Sequence, residues 1–207
     1  VIEFLKKMKM DEKFLSKVVT SGEAAMQAVN QHKFGKNFYH LGPIRDNSIF
    51  KKVEENKTSL EKCDFILCTG FFDEEENDLN YYQSLLKDYT EKKLICTNPD
   101  LVVHRGEIEE LCAGSIAKLF ESMGGEVIYY GKPHKEIYGM CFKKGEKVLA
   151  IGDNLRTDIK GANNLNIDSL FIYSGVHRNE FRKDEDLSKL LKKYNVKTNY
   201  FQKELKW

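Results

Sequence analysis

An α/β fold with mostly parallel strands is predicted by three observations. Short β-rich runs alternate with helical stretches along the chain, those stretches are long enough to serve as crossovers, and no internal repeat or low-complexity tract interrupts the alternation. At 207 residues the chain fits one domain or two small ones, and 41% hydrophobic content with 12% aromatic residues suffices for a core. Such a composition argues against disorder.

Strands are predicted over residues 17–20, 37–41, 64–69, 93–97, 126–130, 147–151 and 169–173, each a short apolar run rich in β-branched or aromatic side chains. Helices are predicted over residues 2–9, 22–30, 79–90, 112–123, 134–143, 157–164 and 185–194, where apolar positions recur three and four apart. Ser21 and Asp78 stand where capping residues belong, and Pro133 is suited to open the helix that follows it. The acidic run from Asp73 to Asp78 reads as a solvated loop and helix start, since acids there complement the helix dipole.

Charge excludes some functions. Lys and Arg number 33 against 32 Asp and Glu, a net charge of +1, so no global field holds the chain on nucleic acid or on an anionic membrane. The stretch 178–206 has more bases than acids, but Leu187, Leu190 and Leu191 make it read as a packed helix with a solvated basic face. No stretch approaches eighteen consecutive apolar residues, and lysines break the N-terminal apolar run. Five cysteines without a CxxC pair fit neither a disulfide framework nor a thiolate zinc site, which points to a reducing cytoplasm. Val1 in place of a methionine is what a trimmed or incomplete chain gives.

The sharpest motif is Gly152-Asp153-Asn154-Leu155-Arg156-Thr157-Asp158. It follows an apolar run read as a buried parallel strand, so Asp153 falls at the carboxyl edge of the sheet, where open α/β folds bind their ligands. Asp158, five residues on, can face the same crevice. Two acids without a neighbouring Cys or His suit a hard, oxygen-seeking cation. A capping aspartate and an ordinary exposed one are the structural alternative. Gly131-Lys132-Pro133 is a second strand-end turn, whose lysine can act as a point charge on a phosphate or can simply be solvated.

Together these motifs resemble the haloacid dehalogenase (HAD) superfamily, subclass IIA, which includes sugar-phosphate and 4-nitrophenyl phosphate phosphatases. Val18-Val19-Thr20-Ser21-Gly22-Glu23-Ala24-Ala25 resembles the way into that family's cap domain. Thr97-Asn98-Pro99-Asp100 is similar to its cap signature, Gly131-Lys132-Pro133 to its lysine motif and Gly152–Asp158 to its metal motif. Leu205-Lys206-Trp207 is similar to the C-terminus of a bacterial branch. The resemblance implies a Rossmann-like core, incomplete at its N-terminus, over residues 1–20 and 131–207, with an inserted α/β cap over residues 21–130. It implies a Mg²⁺-dependent phosphatase working through an aspartyl-phosphate, with Asp153 as a metal ligand, Asp158 holding metal-bound water or Lys132, and Lys132 offsetting phosphate charge.

One departure stands out. No DxDG or DxWG strand end occurs in the chain, nor does the family's phosphate-binding Ser or Thr motif, so by the resemblance both are expected before residue 1 and the chain as it stands is expected to be inactive. The weaker candidates for reading a substrate's leaving group are Asn98, Asp100, His104 and Arg105, with Asn154 beside the metal motif; Asn98-Pro99-Asp100 is equally good turn chemistry. Gly114 and Ser115 could bring a helix N-terminus to a ligand or could serve close packing. His40, His134 and His177 read as structural or exposed. The expected partner is a small phosphorylated metabolite, with neither nucleic acid nor membrane, and a homo-oligomer formed through the cap. The competing reading is a non-catalytic phosphate- and metal-binding remnant or degenerate gene product. A receiver-like signalling domain is disfavoured by the size of the insertion.

Overall fold

In the computed structural model, which describes residues 1–75, 77–105, 108–181 and 185–206, the chain opens with two short helices, α1 (Ile2–Lys7) and α2 (Glu12–Leu15). Among these residues, the side chains of His104, Arg105, Ile108, Glu109 and Glu185 are not described. The strand expected over residues 17–20 does not form. Lys17 and Val18 close turns by donating to the Phe14 and Leu15 carbonyls, and Thr20 is instead the N-cap of α3 (Ser21–Asn30), its Oγ1 accepting from the Glu23 amide at 3.1 Å. A β-branched pair was thus overridden by capping chemistry one residue before the expected cap, Ser21.

The first of two compact units, Val1–Gly131, is built on a four-stranded parallel sheet of order β1-β2-β3-β6. Its strands are β1 (Phe38–Leu41), β2 (Phe65–Cys68), β3 (Lys93–Cys96) and β6 (Glu126–Tyr129). Between them run a 3₁₀ segment (Ile44–Asn56), α4 (Leu79–Leu86) and α5 (Ala113–Ser122). Asp78 caps α4 as expected. Ile66, Cys68, Leu94 and Cys96 share a core with Tyr82 and Leu86 of α4 and Ile116, Ala117 and Phe120 of α5. On the alternate strand positions, Phe38 packs against Phe50 of the 3₁₀ segment, and Phe65 against Phe34. Apolar runs without polar alternation are what a parallel strand covered on both faces requires. An antiparallel hairpin missing from the sequence expectations, β4 (Val102–Arg105) with β5 (Ile108–Leu111), lies between β3 and α5 in the chain.

The second unit, Lys132–Trp207, carries the three-stranded parallel sheet β7 (Leu149–Gly152), β8 (Asp168–Ile172) and β9 (Tyr200–Gln202), in that order. Its helices are α6 (Lys135–Tyr138), α7 (Lys160–Leu165) and α8 (Glu185–Tyr194). Leu190 is buried with Phe171, Phe181 and Leu155, and Leu187 and Leu191 pack on that cluster. β7 is not the buried strand expected. It pairs with β8 alone among the described strands, and Leu149 and Ile151 remain 45% and 38% exposed.

Candidate active site

The site-bearing loop begins where β7 ends. After Gly152 the backbone passes Asp153 and Asn154 into a π-helical turn, Leu155–Ile159, before α7 starts. The helix predicted over 157–164 therefore starts early and wide: the Asp158 and Ile159 amides both donate to the Asn154 carbonyl, at 2.9 and 3.2 Å. Widened turns of this kind recur at functional sites because they re-aim one side chain. Here the re-aimed side chain is Asp158.

Asp158 is buried, with 8% of its surface exposed. Its Oδ2 accepts from the Asn154 amide at 3.1 Å, and its Oδ1 accepts from Nζ of Lys132, whose side chain is half exposed. The carboxylate lies over the end of β7, where a Cβ at Gly152 would collide with it. Tyr138 stands close by: burial, and secondarily the charge of Asp158, push its phenol up to about 12, so it stays protonated. Its ring occupies the space a Cβ at Gly161 would need, which explains the glycine at the start of α7. Asn164 Nδ2 donates to the Pro133 carbonyl at 3.2 Å, tying the Lys132-Pro133 turn to α7.

Asp153 is held from the other side. Its Oδ2 accepts from the Val176 amide at 2.9 Å, and Gly175 brings the backbone so near that a Cβ there would overlap the carboxylate. Its Oδ1 accepts no hydrogen bond among the described residues. The unit thus sets two carboxylates at one strand end, one tied to a lysine and one oriented by a backbone amide. No group of three or more His, Cys, Asp or Glu able to hold a metal occurs among the described residues. Carboxylates with no imidazole or thiolate beside them are the donor type that a hard divalent cation takes.

Of the residues singled out in the sequence, the fold brings Lys132, Asn154 and Asp158 into direct contact and sets Asp153 next to Asn154 in the same loop. Asn98 and Asp100 belong to the first unit, just past β3, where the Asn98 Oδ1 accepts from the Asp100 amide at 3.2 Å as a turn residue does. They lie near a cavity of about 230 Å³ at the carboxyl ends of β1–β3, lined by Asn98 with Arg45, Thr69, Gly70 and Asn77. The backbone of His104 and Arg105 forms the end of β4, and their side chains lie outside the described residues. Gly114 serves close packing, since a Cβ there would meet the Pro99 and Asp100 carbonyls. The sequence reading missed Gly175 and Val176, and took His177 as structural or exposed. A glycine soon after β8, on the strand beside β7, was the available signal.

These features define a class: a parallel α/β unit that presents an acid pair after a strand end, with a lysine on one of the acids. A family model described as HAD-hydrolase-like matches residues 129–199, the segment that holds them. Over that segment the chain is similar to the HAD-like hydrolases, as the sequence resemblance implied. It is 25% identical over 177 residues to the 5'-nucleotidase YutF of Bacillus subtilis, covering 81% of this chain and 66% of that protein. A HAD-like hydrolase from Brucella suis superposes with a TM-score of 0.69 at 31% identity, over 77% of this chain and 65% of that one. The 4-nitrophenylphosphatase of Thermotoga maritima gives 0.64 at 27% identity, over 90% and 69%. The chain thus spans just under two thirds of the length of YutF and of the Brucella protein.

Proposed function

We propose that this chain is the metal- and lysine-bearing part of a HAD-type phosphatase that hydrolyses small phosphorylated metabolites with Mg²⁺. The observation that carries the reading is the Lys132–Asp158–Asn154 contact beside the clamped carboxylate of Asp153. Asp153 would hold the ion through its Oδ1, Asp158 would hold Lys132 and orient metal-bound water, and Lys132 would lie against a phosphate oxygen. Mg²⁺ would supply charge neutralisation for the phosphoryl group. The rest is positioning, which is most of what phosphoryl transfer asks of a protein. Residues 21–130 would act as the cap that closes over substrate and excludes water, with Asn98, Asp100, His104 and Arg105 reading the leaving group. A cytoplasmic location and a homo-oligomer formed through the cap belong to the same proposal.

Catalysis by way of an aspartyl-phosphate needs a nucleophile that no DxD strand end of this chain supplies. The competing reading is a non-catalytic phosphate- and metal-binding protein. Hydrolysis of 4-nitrophenyl phosphate with Mg²⁺ separates the two. The chain is assayed alone and fused to a family-like N-terminal segment of roughly 50–60 residues, enough for two β-α units. The expected outcome is turnover by the fusion that Lys132→Ala lowers about 100-fold or more, the scale of losing one charge-stabilising group. Turnover indifferent to Lys132, or none in either form, overturns the phosphatase reading; Mg²⁺ binding without turnover leaves the second.

A further inference from the structure

A hydrogen-bonded polar network in the second unit surrounds a residue with no role in the reading above. His177 is 1% exposed, and both ring nitrogens are engaged. Nε2 lies 3.1 Å from the Leu155 amide, which donates to it, and Nδ1 lies 2.8 Å from Glu180 Oε1. A nitrogen that accepts a backbone N–H carries no proton, so the ring proton sits on Nδ1 and is donated to Glu180. Glu180 is held in turn by Lys193 and by the Tyr194 hydroxyl at 2.8 Å, contacts that lower its pKa to about 2 and keep it an acceptor. The Tyr194 ring stands edge-on to the imidazole at 4.8 Å, and Phe171 of β8 flanks it at 6.1 Å.

The two ends of this network meet the site-bearing loop. His177 grips Leu155, two residues after Asp153, while its neighbour Val176 donates to Asp153 Oδ2. The segment is itself a closed turn, with Arg178 donating to the Gly175 carbonyl and Glu180 and Phe181 to that of His177. One rigid turn therefore holds the loop at two points, and only one of them is the carboxylate.

We propose that His177 is a positioning residue: by accepting the Leu155 amide it locks the 175–181 turn against the 153–155 loop, so that the Val176 amide fixes the carboxylate of Asp153 for a divalent cation. The proposal rests on the metal reading given above. Groups that orient a ligand without touching the metal typically change metal affinity 10- to 100-fold when removed.

Mg²⁺ binding to the full chain is measured by isothermal titration for the unaltered protein, Asp153→Asn, His177→Leu and His177→Gln, with amide exchange followed at Leu155 and Val176. Leucine removes the acceptor, whereas glutamine returns one near the position of Nε2. His177→Leu is expected to raise the dissociation constant about tenfold or more and to speed exchange at both amides, leaving β8 unchanged. His177→Gln is expected to fall closer to the unaltered chain. Should the leucine variant fail to melt cooperatively, Glu180→Ala, at a side chain one-third exposed, replaces it under the same criteria. Unaltered affinity in His177→Leu, with binding abolished in Asp153→Asn, overturns this inference and leaves the metal site standing. No binding by the unaltered chain overturns both.

Discussion

β2 and β7 are both four-residue parallel strands of apolar composition, Phe-Ile-Leu-Cys and Leu-Ala-Ile-Gly, yet they live in different surroundings. β2 lies between β1 and β3 and is buried at every position, whereas β7 pairs only with β8 among the described strands and leaves Leu149 and Ile151 partly exposed. Place in the sheet order, which composition does not record, sets burial. The candidate site follows the same division: β2 contributes mass to a core, and β7 contributes the acids at its carboxyl end.

The largest effect expected from this contrast is at Phe65. Its side chain is fully buried among Phe34 and Phe38, so Phe65→Ala should cost about 3–5 kcal/mol in urea unfolding. A loss under about 1 kcal/mol would show that β2 is not the packed strand described.

A smaller effect separates the units by pH. Burial, and then the charge of Lys57, lower the pKa of His40 to about 4, while Glu180 is lowered to about 2, chiefly by its hydrogen bond from Lys193. For His40 the unfolded chain takes up a proton near 6.5 and the folded chain only near 4, so stability falls as pH drops through that window, by on the order of 3 kcal/mol. For Glu180 the stabilising contribution is present above its ordinary 4.5 and is lost as pH falls from there toward 2. The first unit should therefore loosen at milder acidity than the second. Amide exchange at pH 7, 5 and 3 reads both units, and His40→Gln should flatten the first response; an unchanged pH response in that variant would remove His40 as its cause.

The smallest expected effect is at Ile151, where replacement by Thr should change stability by about 1 kcal/mol or less because the residue is already 38% exposed. A thermal melt that fell as far as that of Phe65→Ala would mean that β7 is covered on both faces in solution.

Much of this molecule was legible in local pattern. Residues 37–41, 64–69, 93–97 and 126–130 announced their strands because runs of β-branched and aromatic side chains have few other uses in a buried sheet. Asp78 announced its cap, and Gly152-Asp153 and Lys132-Pro133 announced strand ends that carry charge. Val18-Val19 misled, because a β-branched pair followed by Thr20 and Ser21 meets the needs of a capped helix equally well. The antiparallel β4–β5 pair escaped notice although Val102-Val103 and Ile108 are β-branched residues of the kind strands favour.

The candidate site divides along the same line. Residue type and spacing sufficed to nominate Lys132, Asp153 and Asp158, since a hard cation and a phosphate call for acids and a lysine at strand ends whatever the details of packing. Their arrangement was a matter of the fold. A π-helical turn carried Asp158 back over Gly152 to meet Lys132, 26 residues earlier, and the turn after β8 brought the Val176 amide to Asp153, 23 residues away. His177 read as structural or exposed because, beyond Glu180 three residues on, its partners Leu155 and Tyr194 are distant in sequence and Leu155 offers only a backbone amide. Hydrogen bonds to the main chain leave no mark on residue identity, so a site oriented by such bonds becomes visible only once the chain has folded.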